Sequence, residues 1–234
     1  LMNKRARELG AVITHFENPC GAHDDNHYTT ASDMAKIARY AMTIPKFREI
    51  VAKTQYIMPS TNKHKDWPVL ATSNKLLWRE PTELFRVNGI KTGYTSQAGN
   101  NLVASGINSD GMELISVILG VKTPTSGTDV FNYSYSLLEY GFKNFTLKTV
   151  VNKNHVVATV PVADSADEDS SLDLVARDSL ECVLPVDIDI ADISKKEYIN
   201  ENISAPINKG DVLGYIEYQN DGVIIGKVDL VASR

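Results

Sequence analysis

Lys91-Thr92-Gly93 is the run of residue types that most directly names a reaction. It sets an ammonium, a hydroxyl and a residue without a side chain at consecutive positions. On a strand, Lys-Thr-Gly is one of three elements of a class of serine acyl-transfer sites; the other two are Ser-x-x-Lys and a Ser-x-Asn type element. Three common residues recur by chance, so the context carries the reading: Tyr94-Thr-Ser-Gln-Ala-Gly99 follows, and more strand pattern after it. Ser60-Thr-Asn-Lys63 matches both other elements at once. We read it as coincidence, because Met58-Pro59 before it makes a loop, whereas the nucleophile needs a helix N-terminus. Cys20-x-x-His23-x-x-x-His27, with Asp24 and Asp25, has metal-ligand residue types. It lacks a further pair at finger-like spacing and reads as a polar loop before a helix. Gly89-Ile-Lys91-Thr92 lacks the glycines that a phosphate loop needs directly before the lysine and five residues earlier. No metal and no cofactor is expected.

The elements that must position these residues are legible in outline. Leu1 to Leu9 reads as the last turns of a helix, with Gly10 where a terminating glycine would sit. Thr30 is placed to cap a helix carrying Met34, Ile37, Ala38 and Ala41, with Asp33 in its first turn; Pro45 stops it and opens the next. Val87–Gly93, Asn101–Gly106 and Met112–Val121 read as three strands. The last is nearly all apolar and is therefore expected at the centre of its sheet. Asn108-Ser-Asp-Gly111 makes the last two a hairpin. A helix capped by Thr128 or Asp129 carries Val130, Tyr133, Leu137 and Leu138 and is expected to end near Gly141. The aromatic residues Tyr133, Tyr135, Tyr140, Phe142 and Phe145 read as helix packing. Trp67 and Trp78 are read as packing too. Helices, an antiparallel meander and a covering helix make an α+β first module. From Thr146 the pattern is all strand: Val150–Val160, Leu172–Ala176, Glu181–Ile190, Val212–Tyr218 and Val223–Leu230, with turns at Asn208–Asp211 and Gln219–Gly222. This is a small all-β sandwich or barrel. The expected units are 1–145 and 146–234.

Charge divides the same way. The 234 residues carry 24 Lys plus Arg and 29 Asp plus Glu, net −5. Residues 1–149 are net +4 and residues 150–234 net −9. Phosphate contacts need clustered Lys and Arg, so nucleic acid is not an expected partner. Asp164, Asp167, Glu168 and Asp169 lack the spacing of a calcium loop and read as a solvated stretch. No run approaches the roughly 20 apolar residues of a membrane-spanning helix. With only Cys20 and Cys182 a disulfide framework is excluded, and because the two fall in different units a single disulfide between them is not expected either.

Several linked stretches then coincide. Asn18-Pro19, His27-Tyr-Thr-Thr-Ala-Ser-Asp33, Ser73-Asn74-Lys75-Leu76-Leu77, Asn88-Gly-Ile-Lys-Thr-Gly-Tyr-Thr95, Ala98-Gly99, Leu102-Val103 and Leu138-Glu-Tyr-Gly-Phe142 resemble the serine-type D-alanyl-D-alanine carboxypeptidases, the low-molecular-mass penicillin-binding proteins. The β-rich remainder resembles, more loosely, the C-terminal domain of that family. The resemblance implies a partial penicillin-binding-protein/β-lactamase-like catalytic domain. It implies a serine that attacks the carbonyl between two terminal D-alanines of a peptidoglycan stem peptide, with β-lactams as inhibitors of the same serine. It assigns to Lys91 the positive charge beside the nucleophile and to Thr92 a hydrogen bond to the substrate carboxylate. Gly93 leaves room for an extended substrate, and the backbone N–H of Tyr94 becomes an oxyanion donor.

By family order the nucleophile and the Ser-x-Asn element precede Leu1, and Ser60 lies only 31 positions before Lys91, too close for the family layout. The chain alone is therefore expected to be inactive. An Arg is expected between the last strand and the next helix; Lys122-Thr-Pro-Thr-Ser-Gly-Thr128 offers Lys122 instead, without Arg's bidentate grip. An extracytoplasmic location is implied, with membrane anchoring through a segment absent from this chain, which stops at Val228-Asp-Leu-Val-Ala-Ser-Arg234. The alternative reading is a non-catalytic module that binds peptidoglycan or a partner. A β-lactamase is disfavoured by the β-rich second module.

Overall fold

A computed structural model of the chain describes residues 1–122, 128–165 and 170–234. It divides into two compact units, Leu1–Asn144 and Phe145–Arg234. Among the described residues no helix is long and apolar enough to cross a membrane.

The first unit opens with α1 (Met2–Glu8), followed by Gly10 at φ +76°, where a side chain would be strained. α2 (Ala31–Met42) starts as its sequence requires: the Thr30 hydroxyl accepts the Asp33 N–H at 3.2 Å. Asp33 is only 2% exposed and is held by three donors: the Ile13 N–H, the Thr14 hydroxyl and Lys36 Nζ, at 2.7, 2.9 and 3.1 Å. The cap thus also ties the incoming loop to the helix. α3 (Pro45–Val51) begins on Pro45, whose missing N–H costs a first turn nothing. A two-strand ladder of β1 (Gln55–Tyr56) and β2 (Leu70–Ala71) closes the loop that holds Ser60.

The central sheet is antiparallel, in the order β3 (Arg86–Thr95), β4 (Gly99–Ile107), β5 (Glu113–Val121). The hairpin at 108–111 forms as expected: Asn108 Oδ1 accepts the Asp110 and Met112 N–H groups, and Gly111 has φ +82°. The strand expected at the centre, β5, is not there; β4 holds that place. The apolar run of β5 comes from the helices on its two faces rather than from strands on both edges. α2 packs on one face, where Ala38 and Met42 cluster with Ile90, Val103 and Ile115. On the other, Ser116 meets Ser134 of α4 (Asp129–Asn144) at 2.6 Å.

α4 also runs past Gly141, where it was expected to end. A Cβ at Gly141 would lie 2.6 Å from Leu114 Cδ1, so the glycine lets helix and sheet approach closely. Of the aromatic residues read as helix packing, Tyr135 and Phe142 meet Phe85 at 5.2 and 4.7 Å between ring centroids. Tyr133 and Tyr140 face solvent instead.

The second unit has a five-stranded antiparallel sheet and a two-stranded one. Their strands are β6 (Phe145–Val151), β7 (Val156–Pro161), β8 (Ser171–Ala176), β9 (Leu180–Pro185), β10 (Ser194–Ile199), β11 (Val212–Asn220) and β12 (Val223–Ala232). The large sheet runs β10-β11-β12-β8-β7 and the small one pairs β6 with β9. Val150, Leu174, Leu184, Ile216 and Leu230 share one core drawn from both sheets. The single strand expected over 150–160 is two, because Asn154 turns the chain at φ 64°. The strand expected to reach Ile190 stops at Pro185, and a short 3-10 turn occupies Ile190–Asp192. β10 was not expected from the sequence. Both cysteines are free thiols, Cys20 exposed and Cys182 buried. Asp164 accepts from the Ser204 hydroxyl at 2.8 Å; Asp167, Glu168 and Asp169 lie outside the described residues.

Candidate active site

β3 does not run straight into its motif. The β3–β4 register slips between Val87 and Gly89, leaving Asn88 as the extra residue of a bulge. Polar side chains fasten that bulge. Ser105 Oγ donates to Asn88 Oδ1 at 2.6 Å, and Asn88 Nδ2 donates to Glu113 Oε1 at 2.7 Å. Arg48 grips Glu113 with two bonds of 2.7 and 3.0 Å, the fork geometry that strengthens a carboxylate pair.

A second fastening comes from the turn before β3. Asn74 is 1% exposed. Its amide nitrogen donates to the Gly89 carbonyl at 3.0 Å, while its oxygen accepts the Leu76 N–H at 3.1 Å and caps the 3-10 turn Lys75–Trp78. The two residues flanking Asn74 therefore stand beside β3. Ser73 Oγ lies 2.5 Å from Thr92 Oγ1.

Lys91, Thr92, Gly93 and Tyr94 all line one open cleft of about 700 Å³. Ser73, Lys75, Asn100 and Asn101 join them, as do Pro19–Gly21 from the first loop and Val130 and Phe131 from α4. Lys91 Nζ donates to the Thr92 carbonyl at 2.6 Å. Tyr94 is 69% exposed. A Cβ at Gly93 would meet only Asn101 Cβ, at 3.9 Å, so the chain's own packing does not demand a glycine there. Gly99 is different: at φ +73°, a Cβ would sit 2.8 Å from the Val121 carbonyl oxygen, so the turn into β4 needs it. The loop that brings Cys20 to the cleft is closed by Asn18, whose Oδ1 accepts the Gly21 and Ala22 N–H groups at 2.8 and 3.0 Å.

The other sequence candidates lie elsewhere. Ser60 does not line the cleft; its hydroxyl donates to the Lys65 carbonyl at 3.0 Å. Of the cysteine and histidine run, Cys20 reaches the cleft and His23 and His27 do not. Among the described residues no three His, Cys, Asp or Glu side chains gather as a metal site. Trp67 lies 4.7 Å from His64 with the two rings tilted by 42°, and Trp78, expected as packing, ends the 3-10 turn and is 51% exposed; neither lines the cleft. Lys122 follows β5, and a Cβ at Gly99 would lie 3.2 Å from its Cγ; it is not a lining residue. Residues 123–127 of the same segment lie outside the described residues. The sequence reading passed over Ser73 and Lys75 as chemical groups. Their signal was the capping pattern of Asn74 followed by a helical turn.

The family model described as D-alanyl-D-alanine carboxypeptidase matches residues 1–123, and that of the penicillin-binding protein 5 C-terminal domain matches residues 145–234. The chain is 36% identical over 232 residues to D-alanyl-D-alanine carboxypeptidase DacA of Haemophilus influenzae, covering 98% of this chain and 55% of the relative. It is 30% identical over 234 residues to D-alanyl-D-alanine carboxypeptidase DacF of Bacillus subtilis, covering all of this chain and 57% of the relative. It thus spans about half the length of these curated relatives. The crystal structure of penicillin binding protein 5 from Haemophilus influenzae superposes with a TM-score of 0.72 at 31% identity, over the whole of this chain and 64% of that one.

Proposed function

The chain belongs to the D-alanyl-D-alanine carboxypeptidase family, and from that membership we propose that its cleft is the substrate edge of a serine-type D-Ala-D-Ala carboxypeptidase. The observation that carries the reading is the convergence of Lys91, Thr92, Gly93 and Tyr94 on one cleft along β3.

In this proposal a stem peptide ending in D-Ala-D-Ala lies extended along β3, where Gly93 keeps the surface free of a side chain. A serine from chain beyond these residues attacks the carbonyl carbon between the two D-alanines. Its proton passes to the departing amine, free D-alanine leaves, and water then hydrolyses the acyl ester. The Lys91 ammonium lowers the cost of forming the serine alkoxide beside it. The Tyr94 backbone N–H donates to the oxyanion, and the Thr92 hydroxyl donates to the terminal carboxylate. A β-lactam acylates the same serine. The protein works outside the cytoplasmic membrane, and an anchoring segment beyond this chain holds it to the outer face.

Intact-protein mass spectrometry with a penicillin tests this. The 234-residue chain is expected to keep its mass, whereas the protein extended through its upstream elements gains one penicillin and releases D-alanine from a D-Ala-D-Ala peptide. An adduct on Ser60 or Ser73 of the 234-residue chain overturns the assignment of the nucleophile. An extended protein that neither acylates nor releases D-alanine overturns the activity and leaves a binding module.

A further inference from the structure

Acids outnumber bases in the second unit: residues 150–234 are net −9. One open cleft of about 640 Å³ on its large sheet reverses that balance. The charged residues that line it are Lys153, Arg177 and Lys209, and no acid lines it. Cations gathered in this way favour an anionic guest.

The floor between them is apolar. Val156 of β7, Val175 of β8 and Val231 of β12 are cross-strand partners in one row, and all three line the cleft. Their chain neighbours Leu174 and Leu230 belong to the core drawn from both sheets, so the row stands on the opposite face of the large sheet.

The cations stand on both sides of the row. The Arg177 N–H donates to the Asp229 carbonyl, whereas Gly210, next to Lys209, donates to the Ala232 carbonyl. Those two carbonyls are three residues apart on β12, about 10 Å of strand. Lys153 meets Asp178 and Arg177 meets Asp229, each at 3.5 Å and with both partners exposed, which leaves the pairs weak. Among the described residues no ion pair engages Lys209. Asp211, in the same turn, accepts from the Asn208 N–H instead.

We propose that this cleft docks an extended acidic segment of a partner protein, with an apolar side chain on the valine row and a carboxylate on either side of it. Alternate residues of an extended peptide face the same way, so the fitting pattern is acid-x-apolar-x-acid. Arg177 offers a planar fork to one carboxylate and Lys209 a point charge to the other. Anchors about 10 Å apart are too far for one phosphate or carboxylate to bridge. A concave floor also suits a chain segment better than a flat bilayer surface. The site lies within the second unit and does not rest on the carboxypeptidase reading.

The test titrates the isotope-labelled 234-residue chain, observed by NMR, with acetyl-Glu-Ser-Leu-Ser-Glu amide and with its Gln-Ser-Leu-Ser-Gln counterpart. The acidic peptide is expected to bind about tenfold tighter, the scale of one charge-assisted contact, with shifts centred on Lys153, Arg177 and Lys209. Added salt should erode that preference, and replacing the peptide's Leu by Ser should weaken binding about tenfold. Lys209→Glu should remove most of the preference and Lys209→Arg should keep it; the spectrum of each variant shows whether it is folded. Equal affinities for the two peptides, no shifts with either, or a preference undiminished in Lys209→Glu overturns the inference. So does sedimentation of the chain with phosphatidylglycerol vesicles that Lys209→Glu abolishes, which would give the cleft to a membrane.

Discussion

Ser116 and Ser134 share a single hydrogen bond of 2.6 Å across the interface of β5 and α4, with exposures of 1% and 0%. Neither hydroxyl has water to turn to. Removing one leaves the other buried and unpaired, which costs about 1–3 kcal/mol, whereas removing both leaves no orphan. Ser134→Ala should therefore lower the denaturant midpoint more than the double substitution Ser116→Ala/Ser134→Ala does. A double variant less stable than either single one would show that the hydroxyls contribute independently.

Asn74 should be the least replaceable polar residue near the cleft. Asn74→Ala removes the donor to the Gly89 carbonyl and the cap of the following turn. Each buried group left unpaired costs about 1–3 kcal/mol. The expected loss is visible as a lower midpoint in urea. Leu76→Met, which keeps apolar volume in the adjoining core, should cost under about 1.5 kcal/mol.

Acid should weaken the first unit through Asp33. Burial alone pushes its carboxyl up, but Lys36, the Thr14 hydroxyl and the Ile13 N–H outweigh burial and hold it below the ordinary range. A depressed carboxyl binds its proton more readily in the unfolded chain. Its contribution is complete above about pH 4 and is lost as pH falls through the lower folded value. The stability gap between the unsubstituted chain and Asp33→Asn should narrow steadily below about pH 4; a gap that stays constant in acid melts would exclude this linkage.

In the second unit, Gly214 lies where β11 shifts register against β12. A Cβ there would overlap the Tyr198 carbonyl oxygen and stand 2.9 Å from Ile199 Cα, both backbone atoms that cannot swing aside. Gly214→Ala should cost about 1–3 kcal/mol and lower the melting temperature by about 5 °C or more. Unchanged melting would mean that β10 moves outward without penalty.

The thiols should separate by reactivity. Cys20 is exposed at the cleft, whereas Cys182 is buried and burial pushes its thiol up. Iodoacetamide is expected to modify Cys20 first and Cys182 only on unfolding, as read by peptide mapping. Early loss of the Cys182 thiol would contradict its placement in the core.

What was legible in the sequence was local. Thr30 capping α2, the Asn108–Gly111 hairpin and the strand through Lys91 each follow from residues a few positions apart. The order of the sheet did not, because an apolar strand looks the same whether its burial comes from flanking strands or from helices above and below; β5 is the second kind. β10 was missed because Ser194-Lys-Lys-Glu-Tyr-Ile199 is mostly exposed and charged, and pairing with β11 rather than burial defines it. The motif on β3 was visible, but the meeting of Ser73 with Thr92 spans nineteen residues, and nothing in the local pattern announces it.

Asn74 and Lys75 are neighbours in the chain with opposite freedoms. One is sealed in and committed to the fold through two hydrogen bonds; the other stands in the open and carries only its charge. Drift at position 75 is therefore cheap for folding, and drift at position 74 is not. A substitution after the anchoring asparagine can change the charge presented at the mouth of the cleft while the architecture stays still.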